Sequence, residues 1–139
     1  MLKEVLIEST EFFAKNVLDR EVTLYESCSL EPAYAASIDI HGDENAVVTV
    51  FVREKSLRTM AFLFLYEEEP TDEVLEDLIR EIANIVVGRA KVTASERHGV
   101  KFDISTPTFH GDDARPGEND MEITFLFEEE IITITCKGK

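Results

Sequence analysis

Four residues near the middle of the chain combine polar side chains with the spacing of a single helix face. Asp77, Glu81, Asn84 and Gly88 are separated by four, three and four positions. At about 100° per residue they lie at roughly 0°, 40°, −20° and 20° around a helix, so they form one narrow stripe. A carboxylate accepts hydrogen bonds and binds cations, and a carboxamide both donates and accepts without becoming charged. The stripe therefore presents groups that a partner molecule can bind.

Two members of this stripe argue against a merely solvated surface, which is the ordinary role of a charged helical stripe. Asn is a mediocre helix former, and Gly within a helix costs about 1 kcal/mol relative to Ala. Gly88 also leaves space beside Glu81 and Asn84, so that a partner's backbone or side chains can approach the helix closely. The solvated face remains the alternative interpretation.

The opposite side of the same segment is apolar, which predicts a long amphipathic helix. Thr71 is a suitable N-cap, the helix is expected to run to about Arg97, and Gly99 is well placed to end it. The apolar residues that fall in one arc opposite Asp77, and are expected in the core, are Leu75, Leu78, Ile79, Ile82, Ile85 and Val86.

The stripe, together with a proline downstream, resembles the active-site pattern of the CheC/CheX/FliY-type phosphatases of bacterial chemotaxis, especially the CheX branch. That pattern is Asp or Ser, three residues, Glu, two residues, Asn, then twenty-two residues and Pro, and Asp77, Glu81, Asn84 and Pro107 match all three intervals. The segments 80–88 and 102–108 are also similar to the family's helix and following strand. Elsewhere the resemblance rests on length and on the order of elements.

The resemblance implies a phosphatase that acts on the aspartyl phosphate of a CheY-like response-regulator receiver domain. Glu81 and Asn84 would be the catalytic residues: Asn84 would orient the attacking water, and Glu81 would bind the receiver's lysine. Asp77, Gly88 and Pro107 would contribute to partner binding, with two alternatives left open: a surface Asp77 without a partner, and a Pro107 that shapes the end of its strand. Since the receiver would supply its own Mg²⁺, no metal or cofactor of this chain's own is expected.

The resemblance also bears on the number of sites. CheC-like members carry a second Glu-x-x-Asn helix, whereas no Glu of the first predicted helix is followed by Asn three positions later. One site per chain favours the CheX branch, which implies a homodimer formed through the sheet. The apolar strand from Met121 to Phe127 is expected to leave an unpaired edge for this contact.

The remaining apolar patterns predict the order helix, strands, helices, strands. Helical spacing covers residues 2–18 and 55–66, although the apolar run 60–66 is also consistent with a buried strand. Alternation predicts strands over 21–30, 35–41, 45–53, 100–109, 121–128 and 131–137. Long helices packed on a mostly antiparallel sheet make an α+β fold, and the resemblance specifies the CheC-like one. We expect a single CheX-like domain over residues 1–139. A helix followed by about three strands occurs twice, which indicates a weak internal symmetry.

Charge and hydropathy exclude several classes of partner. The chain has 139 residues, with 14 basic against 29 acidic residues and a net charge of −15. Nucleic acid and anionic membrane surfaces would be repelled on average. No stretch reaches the roughly 18 apolar residues of a membrane span, and the N-terminus lacks the pattern of a signal peptide. A soluble, cytoplasmic protein is expected.

Other clusters are weaker candidates. Cys28 and Cys136 have no zinc-site spacing, so buried free thiols are expected. The acidic loop 110–120 lacks the spacing of an EF-hand, so a solvated loop is favoured over a cation site. Catalytic triads, phosphate-binding glycine loops and dinucleotide motifs are absent from the sequence.

Three functions are consistent with the sequence. The first is the receiver phosphatase, which the intact Asn84 favours. The second is a non-catalytic adaptor on the same fold that binds a receiver or a flagellar-switch protein. The third is a structural acidic dimer module in which the helix stripe contacts nothing.

Overall fold

Helices and strands alternate along the chain in the predicted order. The computed structural model describes residues 1–25 and 31–139. Its helices are α1 (Leu2–Asn16), α2 (Glu54–Leu65) and α3 (Asp72–His98). Its strands are β1 (Val22–Leu24), β2 (Tyr34–Gly42), β3 (Ala46–Val52), β4 (Phe102–Ile104), β5 (Thr108–Phe109), β6 (Met121–Phe127) and β7 (Glu130–Gly138).

The bounds of α3 are set by the predicted capping residues. The Thr71 side chain accepts a hydrogen bond from the Val74 N–H at 3.2 Å, which satisfies one of the donors left free at a helix start. At the other end Gly99 takes the left-handed conformation with φ of 63°, which glycine adopts without strain. The predictions of this helix and of the shorter α2 before it are confirmed.

One antiparallel sheet takes strands from both halves of the chain. The order is β1-β6-β7-β3-β2-β4, with β5 also beside β2. Two hairpins, β2–β3 and β6–β7, are joined where β3 pairs with β7. The outer strand β1, from the first half of the chain, pairs with β6, and the outer strand β4, from the second half, pairs with β2. The order therefore has the approximate two-fold pattern that the repeated helix and strands indicated, and the α+β prediction is confirmed.

The main core lies where the helices pack against one face of this sheet. Nearly all of the predicted α3 arc is buried, and Ile85 is the exception because it lies at the margin of the arc and is only half-buried. The Ser9 hydroxyl on α1 donates to the Val86 carbonyl, which joins the two long helices. Burial of one such aliphatic side chain contributes about 1.5 to 3 kcal/mol, so α3 is anchored firmly.

Three strand predictions need correction or remain incomplete. The strand predicted over 100–109 is broken into β4 and β5 around Pro107, since proline has no N–H for a ladder. β6 is bordered by both β1 and β7, so the expected open edge of Met121–Phe127 is wrong; among the described strands the short β1 and β4 end the sheet. Of the strand predicted over 21–30, residues 26–30, with Cys28, lie outside the described residues.

The acidic loop 110–120 is tied to the sheet rather than gathered around a cation. Its first half bonds along β2, where the His110 N–H donates to the Ala35 carbonyl at 2.9 Å. At its far end Asp120 Oδ2 accepts from the Gly138 N–H at 2.6 Å. Within residues 1–25 and 31–139, no group of three or more His, Cys, Asp and Glu side chains is placed to hold a metal ion.

Cys136 on β7 is buried and free. Its burial, with the nearby carboxylates of Asp120 and Glu44, raises the pKa of the thiol.

No described helix has both the length and the apolar character required to cross a bilayer.

Candidate functional site

The four stripe residues lie together on the face of α3 turned away from the core. Asp77, Glu81 and Asn84 are exposed, and Gly88 is partly exposed. The predicted geometry follows from packing: the buried arc fixes the rotation of the helix, and the residues opposite must then face outward. The stripe is therefore open to a partner.

Asp77 is already paired with another residue of the chain. Its Oδ1 accepts from Arg80 Nη2 at 2.5 Å, and Arg80 Nη1 also donates to Glu76 Oε1 at 3.2 Å. The hydrogen bond to Asp77 raises the pKa of Arg80, because it stabilises the charged guanidinium. Asp77 therefore contributes little uncompensated charge to the stripe.

Glu81 and Asn84 are, in contrast, unengaged. Neither side chain makes a hydrogen bond or an ion pair with another residue in the described part of the chain. They are three positions apart on the helix, which is about 4.5 Å along the axis. A carboxylate and a carboxamide thus stand one turn apart, both with their hydrogen-bonding capacity available for a partner.

Gly88 extends the open surface beyond this pair. A Cβ built at this position would have no atom within 4 Å other than its own helix backbone and neighbours, so packing does not require glycine here. The next side chain, Arg89, is held toward α1, where its guanidinium stacks 3.5 Å from the centre of the Phe12 ring. No side chain therefore projects from the helix one turn beyond Asn84, at Gly88.

Pro107 lies between two strands that flank α3. It is half-buried in the link from β4 to β5, and both strands contact α3. Arg80 strengthens this contact, because its guanidinium lies 6.0 Å from the centre of the Phe109 ring. The fold thus brings the segment with Pro107 beside the stripe, although the two are distant in sequence.

Arg80 and Arg89 are the residues near the site that sequence reasoning missed. The pairing of Arg80 could have been found, since Glu76 and Asp77 precede it by four and three positions, where helical side chains meet. The aromatic partners of the two arginines could not have been found from the sequence, because Phe12 and Phe109 come close to them only through the tertiary fold.

A protein-family model described as "Chemotaxis phosphatase CheX" matches residues 34–127, which is about two thirds of the chain and includes every residue of the candidate site. No curated protein sequence matches the chain.

Solved structures share the fold over 99% of this chain. Chemotaxis protein CheX from Vibrio vulnificus aligns over 96% of its own length with a TM-score of 0.87 and 18% identity. The CheX of a CheX–CheY–BeF₃–Mg²⁺ complex from Borrelia burgdorferi aligns over 98% with a TM-score of 0.74 and 16% identity. FliY from Thermotoga maritima aligns over 86% with a TM-score of 0.68 and 15% identity. At these identities the similarity shows the fold alone.

Proposed function

Because this chain belongs to the CheX family of chemotaxis phosphatases, we propose that it hydrolyses the aspartyl phosphate of a CheY-like receiver domain, with Glu81 and Asn84 as its catalytic residues. The observation that supports this most directly is the exposed pair itself. Two polar side chains stand one turn apart on a rigid helix, and neither has a partner among the described residues. Their engagement by a partner therefore requires no internal bond to break.

Asn84 is assigned to the water. Hydrolysis needs a water molecule in line with the bond between phosphorus and the aspartyl oxygen; that bond breaks, and the products are inorganic phosphate and a free carboxylate. The Asn84 carboxamide can accept from this water and donate to a phosphoryl oxygen, which fixes the angle of attack. Since an amide does not take up a proton at neutral pH, the proton leaves with the phosphate or with solvent.

Glu81 is assigned to the receiver's active-site lysine. Its carboxylate is available, whereas Asp77 one turn away is already paired with Arg80. The bond from Glu81 would hold the receiver so that Asn84 reaches the phosphoryl group. The Mg²⁺ that neutralises the phosphoryl oxygens would be held by the receiver, and this chain would need no cofactor of its own.

The solved complex from Borrelia burgdorferi supports a receiver as the partner, since a protein of the same fold is bound there to CheY with BeF₃ and Mg²⁺. We take residues 1–139 as one domain that acts in the cytoplasm as a homodimer, with one site per chain. Asp77, Gly88 and Pro107 would border the contact. The net charge of −15 argues against nucleic acid and anionic membranes as partners.

The test follows the decay of phosphate from a phosphorylated receiver, with and without this protein. The wild type should accelerate decay, and Asn84→Ala should lower the maximal rate by ~10²-fold while affinity for a BeF₃-activated receiver changes little. Asn16→Ala makes the same chemical change on α1 and should have no effect. A folded, binding Asn84→Ala variant that cleared phosphate as fast as wild type would favour the non-catalytic adaptor.

A further inference from the structure

A preformed cavity lies on the same face of α3, further toward the C-terminal end of the helix. It measures about 300 Å³ and is lined by His41, Gly42, Lys91, Ser95, Lys101, Phe102 and Asp103. The buried Phe102 ring and Gly42, which has no side chain, contribute its apolar part. Polar groups from α3 and from the segment leading to β4 complete the lining. The cavity belongs to neither the Glu81 and Asn84 pair nor the core.

Local backbone contacts make this cavity rigid. The Asp43 N–H donates to the Lys101 carbonyl at 2.9 Å, and the Lys101 N–H donates to Asp43 Oδ2 at 2.9 Å. At Gly42 a Cβ would lie 2.7 Å from that same carbonyl oxygen, and φ is +139°, so only glycine permits the approach. The end of β2 is thus held against the turn before β4.

The charge of the cavity is opposite to that of the molecule. Two lysines, Lys91 and Lys101, line it together with one acidic residue, Asp103. Lys91 lies 3.7 Å from Asp103 in a solvent-exposed pair, which is a weak interaction. Lys101 makes no ion pair with any residue that the structure describes. In a chain of net charge −15, a cavity with an excess of cations is suited to an anionic group.

The position of the cavity connects it with the candidate site. Ser95 follows Asn84 by eleven residues, so it lies within about 20° of the same helix face and roughly 16 Å further along the axis. Gly88 lies between them and projects no side chain. A receiver domain of ordinary size is on the order of 30 Å across, so one such molecule seated at Asn84 reaches the cavity.

We propose that this cavity is a second contact for the receiver and binds an acidic side chain on the receiver's surface through Lys101, Lys91 and the Ser95 hydroxyl. The proposal rests on the proposed function, because the receiver is the occupant of both places. This second contact would determine which receiver is bound. Glu81 and Asn84 contact groups that all phosphorylated receivers share, whereas an acidic group about 16 Å away is present in some receivers and absent from others.

The experiment measures dephosphorylation against receiver concentration for three variants. Lys101→Glu should raise KM by about tenfold with kcat unchanged, and Lys101→Gln should raise it less. Lys137→Glu is the matched control, because Lys137 is exposed on β7 and alternates with buried Cys136, so it lies on the other face of the sheet. It changes the net charge equally and should leave KM unchanged. Raising the ionic strength should increase the KM of the wild type more than that of Lys101→Glu.

The contrary outcomes separate this second contact from the phosphatase activity. If the wild type accelerates decay and Lys101→Glu keeps the wild-type KM, the second contact is wrong and the phosphatase stands. Equal losses in Lys101→Glu and Lys137→Glu would show a general charge effect and also overturn the contact. A Lys101→Glu variant with a lowered kcat and an unchanged KM would also overturn the second contact. A wild type that neither binds nor dephosphorylates a receiver would overturn both proposals.

A reciprocal change identifies the receiver's group. Acidic residues on the receiver surface are replaced singly by lysine, and each variant is tested with Lys101→Glu. One of these receiver variants should bind Lys101→Glu more tightly than the unmodified receiver does. The same receiver variant should bind Lys137→Glu no more tightly than the unmodified receiver does. If no receiver variant recovers affinity, the acidic partner is wrong.

Discussion

At the scale of residues, the site depends on the difference between two carboxylates one turn apart. Asp77 and Glu81 are the same kind of group on the same helix face, yet among the described residues only Asp77 has a cationic partner, Arg80. A partner's lysine that approached Asp77 would have to compete with the Arg80 guanidinium at 2.5 Å. Glu81 offers the full interaction of an unpaired carboxylate, which is why we assign it the receiver's lysine.

This difference predicts unequal effects of the same substitution. Glu81→Gln should weaken binding of a BeF₃-activated receiver by about 30-fold or more, since loss of one partner of a desolvated charge pair costs 2 to 5 kcal/mol. Asp77→Asn, its matched control, should change affinity less than about threefold because that charge is already paired. Calorimetric titration gives both affinities, and circular dichroism checks the fold. Equal losses would contradict the assignment of Glu81.

At the scale of elements, sequence predicts what local physics determines. The position and rotation of α3 follow from one apolar arc, a Thr cap and a Gly stop, so the stripe could be predicted from the sequence alone. The break between β4 and β5 was missed, because one strand was assigned over 100–109 although the apolar alternation ends at Ile104 and Pro107 lacks the N–H for pairing. The contact of Arg80 with Phe109 was beyond prediction, since it depends on where β5 lies beside β2.

Gly88 provides a test at this scale. Gly88→Leu should keep or raise the melting temperature, because leucine is the better helix former and a Cβ there meets no neighbour. It should also abolish receiver binding, since it places a bulky side chain between Asn84 and the cavity near Ser95. Glu96→Leu adds the same side chain at another exposed position of α3 and should leave binding intact. Normal binding by Gly88→Leu would show that the stripe is not the docking surface.

At the scale of the whole molecule, the strand order could not be predicted from the sequence. Hairpins such as β2–β3 are visible in local alternation and turns. The pairings of β1 with β6 and of β3 with β7, however, join segments far apart in the chain, and no local pattern specifies them. The prediction of an open edge at β6 was wrong because it did not include these distant pairings. Among the described strands, the short β1 and β4 lie at the edges and are the candidates for an intermolecular contact.

The dimer is the prediction that belongs to this scale. Light scattering should give about twice the chain mass of 15.8 kDa, because the single site that we propose for each chain implies a homodimer. The measurement is made over a concentration series, since a weak dimer dissociates on dilution. A mass of one chain at every concentration would contradict the proposed homodimer.

The place of β7 in the sheet has a consequence for biosynthesis. This strand follows all the others in the chain, yet it lies between β3 and β6 and joins the two sides of the sheet. Until residue 138 has left the ribosome, α2 and the β2–β3 hairpin lack a strand against which they pack. Because such contacts between distant segments also form slowly, the apolar face of the nascent chain stays uncovered for longer than in a protein built from local contacts. We therefore expect newly made chains of this protein to need shielding by chaperones.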